Sequence, residues 1–170
     1  MKRLDTEARS NSYNSANQNT TQLNEHRRSS RTILLIDDDD LVAQTLSMML
    51  STSNYDVRIA NNGLDALKIF KNEPIGLVIS DLLMPSLSGW DVVERIRQMS
   101  QNVPVFIITG YLNELLDKQK ERVESLGINE ILLKPVRMKD LIDKVAPYVG
   151  RKEMRAACNT QPSPPISPFL

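Results

Sequence analysis

The sequence is poor in the residues that build disulfide frameworks, zinc sites and nucleotide-binding loops. It holds one cysteine, Cys158, and one histidine, His26, which leaves no partner for an internal disulfide and no zinc-ligand spacing. Neither the GxxxxGK(S/T) pattern nor the GxGxxG pattern of phosphate-binding loops occurs. The sequence therefore argues against disulfide-rich secreted proteins, zinc modules and the common nucleotide-binding enzymes.

Long apolar runs are missing as well. The first thirty residues lack the apolar core of a signal peptide, and no segment approaches the roughly 20 apolar residues of a membrane span. We therefore expect a cytoplasmic protein with no membrane partner, in the reducing compartment that a single cysteine also suits.

Charge of one sign is not in excess, because 21 basic residues balance 21 acidic ones. The distribution is uneven: residues 31–150 are acidic overall, and the two ends are mildly basic. A surface that neutralises nucleic-acid phosphates needs clustered lysine and arginine. We therefore expect no direct DNA binding by the folded part.

Composition divides the chain into three parts. Residues 1–30 are rich in Asn, Ser, Thr and Gln with few large apolar residues, which predicts a disordered arm. Residues 151–170 carry four of the nine prolines and no periodic apolar face, which predicts a disordered, proline-rich tail. One folded domain is expected over residues 31–150. The tail is too short for an output domain, so we expect a stand-alone domain.

Within residues 31–150, short apolar runs alternate with segments of helical period. Runs that are short, rich in valine and isoleucine and not strictly alternating suit strands buried on both faces. The runs are Ile33–Ile36, Val57–Ala60, Leu77–Ser80, Val103–Ile108 and Ile131–Leu133. This order predicts an α/β fold, a doubly wound five-stranded parallel sheet with five helices. Ligands of such sheets bind outside the carboxyl ends of the strands.

Polar residues follow these runs at the predicted strand ends. Asp37 and Asp38 follow the first run, Asp81 the third, Thr109 the fourth and Lys134 the fifth. The next two acids in the run of four, at positions 39 and 40, are explained by helix capping and by the positive end of a helix dipole. The acidic pair before them predicts a Mg²⁺ site. The third-strand carboxylate is a candidate nucleophile towards phosphorus.

These residues, in this order, resemble a response-regulator receiver domain, which has a flavodoxin-like fold. The resemblance covers about residues 31–150 and implies a magnesium-assisted transfer of a phosphoryl group to an aspartate. The implied donors are a sensor histidine kinase or a histidine phosphotransfer protein, and the implied output is binding to an unknown downstream protein. The only catalysis implied is the domain's own phosphorylation and dephosphorylation.

The resemblance also assigns roles to individual residues. It implies that Asp81 is the phosphoacceptor and that Asp38, Asp81 and the backbone carbonyl of Leu83 ligate Mg²⁺, with Asp37 acting largely through water. It implies that Thr109 and Lys134 contact the phosphoryl group. The remaining matched positions are the loop residues Met84, Pro85 and Gly89, the small residue Gly110, and Pro135, which is expected to follow a cis peptide bond.

Two departures from the family pattern bear on signalling. Receivers usually carry Tyr or Phe three positions before the lysine, as part of a switch with the fourth-strand hydroxyl, and here the residue is Ile131. The positions two after the phosphoacceptor and two after the hydroxyl are Leu83 and Tyr111, neither of which orients an attacking water. We therefore predict slow self-dephosphorylation.

Three alternatives stay open from the sequence. The domain can be an intermediate in a phosphorelay, or an interaction module that keeps the fold without the chemistry. The third is a haloacid-dehalogenase-like phosphatase, which shares the aspartate nucleophile, Mg²⁺, a hydroxyl and a lysine. In that family the nucleophile lies on the first strand in a DxDx(T/V) pattern. Here Asp37 and Asp39 match the two aspartates, but Leu41 stands where the pattern has Thr or Val.

Overall fold

The structure, a computed structural model, describes residues 31–110 and 112–149, excepting the side chains of residues 112–118. The predicted arm at residues 1–30 and the predicted tail at residues 151–170 lie outside the described residues. Within the described residues there are five strands and five helices in strict alternation.

The five apolar runs form one parallel sheet, which confirms the predicted fold class. Its strands are β1 (Thr32–Ile36), β2 (Asp56–Ala60), β3 (Leu77–Asp81), β4 (Val105–Thr109) and β5 (Glu130–Leu133). Their spatial order is β2-β1-β3-β4-β5. The direction of winding reverses between β1 and β3, so the crevice at the carboxyl ends lies between these two strands.

The helices are α1 (Asp40–Ser51), α2 (Gly63–Asn72), α3 (Gly89–Met99), α4 (Leu112–Ser125) and α5 (Met138–Val145). Side-chain caps mark where several of them begin. The Asp39 carboxylate accepts hydrogen bonds from the N–H groups of Leu41 and Val42 at 2.9 and 3.1 Å, and Ser88 caps α3. The second pair of acids in the aspartate run therefore starts α1, as the capping interpretation predicts.

The sheet separates two apolar clusters. On one face, α1 and α5 pack over the side chains of alternate strand residues, in a cluster that includes Phe106. On the other face, α2, α3 and α4 contribute to a second cluster that includes Phe70 and Trp90. Because the central strands β1, β3 and β4 are covered on both sides, their apolar runs need no polar alternation, whereas the edge strands β2 and β5 are partly exposed.

Two leucines that share the helical period of the core are nevertheless exposed. Leu41 is 75% exposed in the first turn of α1, and Leu64 is 60% exposed in α2. The buried positions near these turns are instead filled by the small residues Ala43 and Ala66. Helical spacing alone would place both leucines on the core face, and the structure places them on the exposed one.

No helix among the described residues has both the length and the apolar character that crossing a membrane requires.

Candidate functional site

Four neighbouring strands deliver the predicted site residues to one edge of the sheet. Asp37 directly follows β1, Asp81 ends β3 and Thr109 ends β4. Lys134 directly follows β5, and its N–H donates to the carbonyl of Thr109 at 2.8 Å. Since the strands are parallel and in register, all four residues lie at the carboxyl edge, although up to 97 positions separate them in the sequence.

Three carboxylates face one another at this edge. Asp37, Asp38 and Asp81 each offer one carboxylate oxygen, and these three oxygens lie within 4.8 Å of one another. Asp37 and Asp81 are 1% and 8% exposed, whereas Asp38 is exposed. Ligands on opposite sides of Mg²⁺ are about 4.2 Å apart, since each ligand distance is 2.0–2.1 Å. The oxygen donors therefore suit Mg²⁺, and their spacing is close to what the ion requires, with solvent access through Asp38.

Lys134 forms ion pairs with the two buried carboxylates. Its Nζ lies 2.9 Å from Asp37 Oδ2 and 2.7 Å from Asp81 Oδ2. Burial by itself lowers the pKa of Lys134, but the hydrogen bonds to Asp81 and Asp37 outweigh it and raise that pKa above its usual value. The ammonium group is therefore charged at neutral pH and joins β1, β3 and β5 at one point.

The surroundings of Asp37 make its ionised form less favourable than it is in water. Burial raises the pKa of Asp37 above its usual value, while the hydrogen bonds from Lys134 and from the N–H of Asp39 oppose the rise. Lys134 pairs with only two of the three clustered carboxylates, so repulsion among them is only partly offset. A bound divalent cation would offset the rest.

The second oxygen of the Asp81 carboxylate is held by the loop that follows it. Oδ1 accepts hydrogen bonds from the N–H groups of Leu82 and Leu83, at 2.6 and 3.3 Å. With Oδ2 bound by Lys134, both oxygens have donors and the carboxylate is fixed in orientation. The side chain of Leu83 is 62% exposed at the rim of the site.

The loop between β3 and α3 folds tightly against Asp81. Met84 is buried in the apolar cluster, and the N–H of Leu87 donates to the carbonyl of Pro85 at 2.9 Å. The N–H of Gly89 donates to the carbonyl of Leu82 at 3.1 Å. A Cβ at Gly89 would lie 2.0 Å from the Asp81 carbonyl oxygen, so glycine is required by this close approach.

The predicted switch positions lie on the next strands. Thr109 is buried at the end of β4, and Ile131 is half-buried on β5, where it packs against the apolar cluster under α3 and α4. Ile131 pairs with Ile107 in the register. The peptide bond between Lys134 and Pro135 is cis, as expected.

Sequence reasoning missed the polar residues that follow β2. Asn61 donates a hydrogen bond to the carboxylate of Asp40, and Asn62 caps α2 by accepting from the N–H of Asp65 at 2.9 Å. With Asp38 and Pro85, both asparagines line a cleft of about 420 Å³ beside the acidic site. The strand-end rule could have identified them, because they also follow an apolar run.

A second cavity, of about 520 Å³, lies on the other side of Lys134. It is lined mainly by apolar side chains of α1, among them Val42 and Met49, and by Pro135 and Val136. The site therefore sits between a polar cleft and an apolar groove.

Comparison with known proteins gives the family. The sequence model of the response regulator receiver domain matches residues 33–146, and the chain belongs to this family. The transcriptional regulatory protein CpxR homolog of Haemophilus influenzae is 36% identical over 121 residues, which span 70% of this chain and 50% of that protein. The sensor histidine kinase RcsC of Salmonella typhi is 33% identical over 119 residues, which span 70% of this chain but 12% of the kinase.

Solved structures agree with this assignment. A response regulator receiver domain protein from Clostridium thermocellum is 32% identical, with a TM-score of 0.61 over 69% of this chain and 93% of that one. Response regulator TrrA from Thermotoga maritima, solved in complex with Mg²⁺-BeF, is 28% identical, with a TM-score of 0.62 over 69% of this chain and 98% of that one. The domain is thus a two-component signalling module of CheY-like fold.

Proposed function

We propose that the domain accepts a phosphoryl group on Asp81 from the phosphohistidine of a sensor histidine kinase or of a histidine phosphotransfer protein. The observation that carries the proposal is the setting of the Asp81 carboxylate. It lies at the carboxyl edge of the sheet, beside a lysine ammonium group at 2.7 Å and two further carboxylates. Phosphoryl transfer needs an oriented nucleophile and nearby positive charge, and both are present.

In the proposed reaction, a carboxylate oxygen of Asp81 bonds to phosphorus as the bond from phosphorus to the imidazole nitrogen breaks. The electron pair of the broken bond stays on the imidazole. Lys134 exchanges its contacts with Asp37 and Asp81 for the incoming phosphoryl oxygens, and the hydroxyl of Thr109 contacts the same group. The hydrogen bonds from Leu82 and Leu83 keep the Asp81 carboxylate in place.

Mg²⁺ is the proposed cofactor because the donor set consists of oxygen atoms at suitable spacing. Asp38, Asp81 and the backbone carbonyl of Leu83 would hold the ion, with Asp37 acting through water. When bound, Mg²⁺ neutralises charge on the phosphoryl oxygens and orients them. The related protein TrrA, solved with Mg²⁺-BeF, supports this proposal.

The proposed output is binding to another protein. Phosphorylation adds about −1.5 to −2 charges at neutral pH, which attracts Lys134 and Thr109 towards Asp81. Their movement would repack the face made by α4, β5 and α5. A cytoplasmic location and signalling through a downstream protein, without direct DNA binding, stay predictions from the sequence.

A relay role is the second candidate, and Leu83 favours it. An apolar side chain two positions after the phosphoacceptor leaves no group there to activate water, so the acyl phosphate is expected to persist. A long-lived phosphoryl group suits onward transfer to a second histidine. Receiver segments within sensor kinases such as RcsC are among the similar sequences.

The first experiment is intact-mass measurement after incubation with acetyl phosphate, with and without Mg²⁺. Wild type is expected to gain one phosphoryl group only with Mg²⁺, and Asp81→Asn none. Asp39→Asn is a matched control in the same acidic run, because asparagine also caps helices well. It should gain the group as wild type does.

Other outcomes select the alternatives. An unmodified wild type that is folded by circular dichroism would overturn the proposal in favour of a non-phosphorylated interaction module. Steady hydrolysis of the donor that Asp81→Asn leaves unchanged would revive the phosphatase alternative. Transfer from the phosphorylated domain to a histidine phosphotransfer protein would identify the relay.

A further inference from the structure

The first turn of α3 rests directly on the backbone of the phosphoacceptor. Gly89 begins the helix, and the space that its missing Cβ would occupy is taken by the carbonyl oxygen of Asp81, 2.0 Å away. The N–H of Gly89 donates to the carbonyl of Leu82, the residue after the phosphoacceptor. Because backbone contacts backbone with no side chain between them, a shift at Asp81 must pass to the start of α3.

The next residues of α3 are held by one arginine from α4. The guanidinium carbon of Arg122 lies 5.4 Å from the ring centroid of Trp90, within the range of a cation–π contact. The same guanidinium lies 3.6 Å from Asp91 and 3.5 Å from Glu94. A single side chain of α4 therefore contacts three residues near the beginning of α3.

The end of α4 is fixed by a different arginine. Arg97 donates hydrogen bonds to the carbonyls of Leu126 and Gly127, at 2.7 and 3.0 Å, and to the carbonyl of Val103 at 2.6 Å. These bonds join the turn after α4 to the last turn of α3 and the loop after it. Helix α4 is thus tied just past its end by Arg97 and in its last turn by Arg122.

We propose that Arg122 is a positioning residue that couples the phosphoacceptor loop to α4 through Trp90. Movement of Asp81 on phosphorylation shifts the first turn of α3, Trp90 carries the shift, and α4 pivots about its Arg97 attachment. Ile131 provides no ring for the aromatic switch usual in the family, so this contact supplies another route to α4. The inference rests on the proposed phosphorylation of Asp81.

The test uses the fluorescence of Trp90, which is the chain's one tryptophan. Emission is recorded for the full chain with Mg²⁺ alone and then after acetyl phosphate, and intact mass gives the phosphorylated fraction in each sample. Hydrogen exchange of the α4 amides is measured in parallel. The test variants are Arg122→Gln and Arg122→Lys, which keeps the charge. The control variant is Arg58→Gln. Arg58 lies on β2, at the opposite edge of the sheet, and the substitution removes its surface ion pair with Glu73.

Phosphorylated wild type is expected to change both Trp90 emission and exchange in α4. Arg122→Gln should reach the same phosphorylated fraction within twofold, yet lose more than half of both changes. Arg122→Lys should retain the larger part, and Arg58→Gln should behave as wild type.

Full-sized changes in Arg122→Gln, or phosphorylated wild type without any change, would overturn the coupling and leave the phosphorylation itself intact. Absence of the phosphoryl group in wild type would instead overturn the proposed function, and this inference with it. A loss equal in Arg58→Gln and Arg122→Gln would also contradict the coupling, because it would show a general effect of removing surface charge.

Discussion

Ile36 and Asp37 are neighbours in the sequence and both are buried, yet they lie in two regions of opposite chemistry. Ile36 belongs to the apolar cluster under the sheet, where removal from water stabilises the fold. Asp37 belongs to the acidic site at the sheet edge, where burial raises its pKa and repulsion from Asp81 adds to the cost. The core contributes stability, whereas the edge loses stability where it buries carboxylates at the positions proposed to bind Mg²⁺ and to accept the phosphoryl group.

The largest effect is expected in the core. Phe106 is fully buried in β4, with its ring edge-on to Tyr148 at a centroid distance of 5.1 Å. Phe106→Ala is expected to lower the free energy of unfolding by about 3–5 kcal/mol, because it removes apolar contacts and leaves a cavity. Urea unfolding followed by circular dichroism measures the change. Leu64→Ala, at an exposed position, should change it by less than about 0.5 kcal/mol. Similar losses in both variants would contradict the assignment of the core.

The second-largest effect is expected at Gly89, where the apolar core meets the acidic site. In Gly89→Ala, the new methyl group would clash with the carbonyl oxygen of Asp81, so the loop must shift. We expect a loss of about 1–3 kcal/mol in the free energy of unfolding, with slower phosphorylation by acetyl phosphate. The matched control is Gly110→Ala, since no heavy atom lies within 4 Å of its added Cβ. If the two alanine variants behave alike, the close approach at Gly89 has no consequence.

Substitution of Leu83, at the rim of the acidic site, should change the rate of dephosphorylation more than the stability of the fold. Leu83→Glu places a carboxylate where it can orient water towards the acyl phosphate, so the phosphoryl half-life should fall by at least ~10-fold. Leu83→Met keeps an apolar side chain and should retain the wild-type half-life. The decay is followed by intact mass after removal of the donor. An unchanged half-life in Leu83→Glu would show that Leu83 does not limit self-dephosphorylation.

The smallest effect has the opposite sign. Asp37→Asn should stabilise the domain by about 1 kcal/mol at neutral pH without divalent cations, because a neutral amide replaces a buried, repelled carboxylate. The same variant should bind Mg²⁺ more weakly. Urea unfolding and a Mg²⁺ titration measure the two effects, and lower stability at neutral pH would contradict the comparison.

The sign of the pH dependence follows from the raised pKa of Asp37. The folded state holds this proton more tightly than the unfolded state, whose pKa is near 3.8. Asp37 therefore favours folding below pH 3.8, and this contribution is lost as the pH rises through the raised pKa. The advantage of Asp37→Asn over wild type should grow from acidic to neutral pH. A constant difference would show that charge at Asp37 is not its cause.

Many features of the carboxyl edge of the sheet could be predicted from local sequence patterns. Apolar runs predicted the strands, the order of strands and helices predicted a parallel sheet, and residues after the runs were expected at its carboxyl edge. Asp37, Asp81 and Lys134 do meet there. The helix start at Asp39 was equally predictable, because a cap depends on residues only two or three positions away.

Other features depend on how the helices settle on the sheet. Helical period could not show that Leu41 faces solvent while Ala43 faces the core, since both choices preserve an apolar stripe. The Arg97 and Arg122 contacts join α3 to residues some thirty positions further along, and no local pattern encodes such pairs.

The sequence by itself therefore determined the βα order, the family and the chemical identity of the site residues, because these follow from periodicity and from residue type. Only the tertiary structure decided which oxygen atoms Lys134 bridges, how closely Gly89 lies against Asp81 and which side of each helix is left exposed. These depend on distances between elements remote in the chain, which are set by the close packing of side chains between helix and sheet.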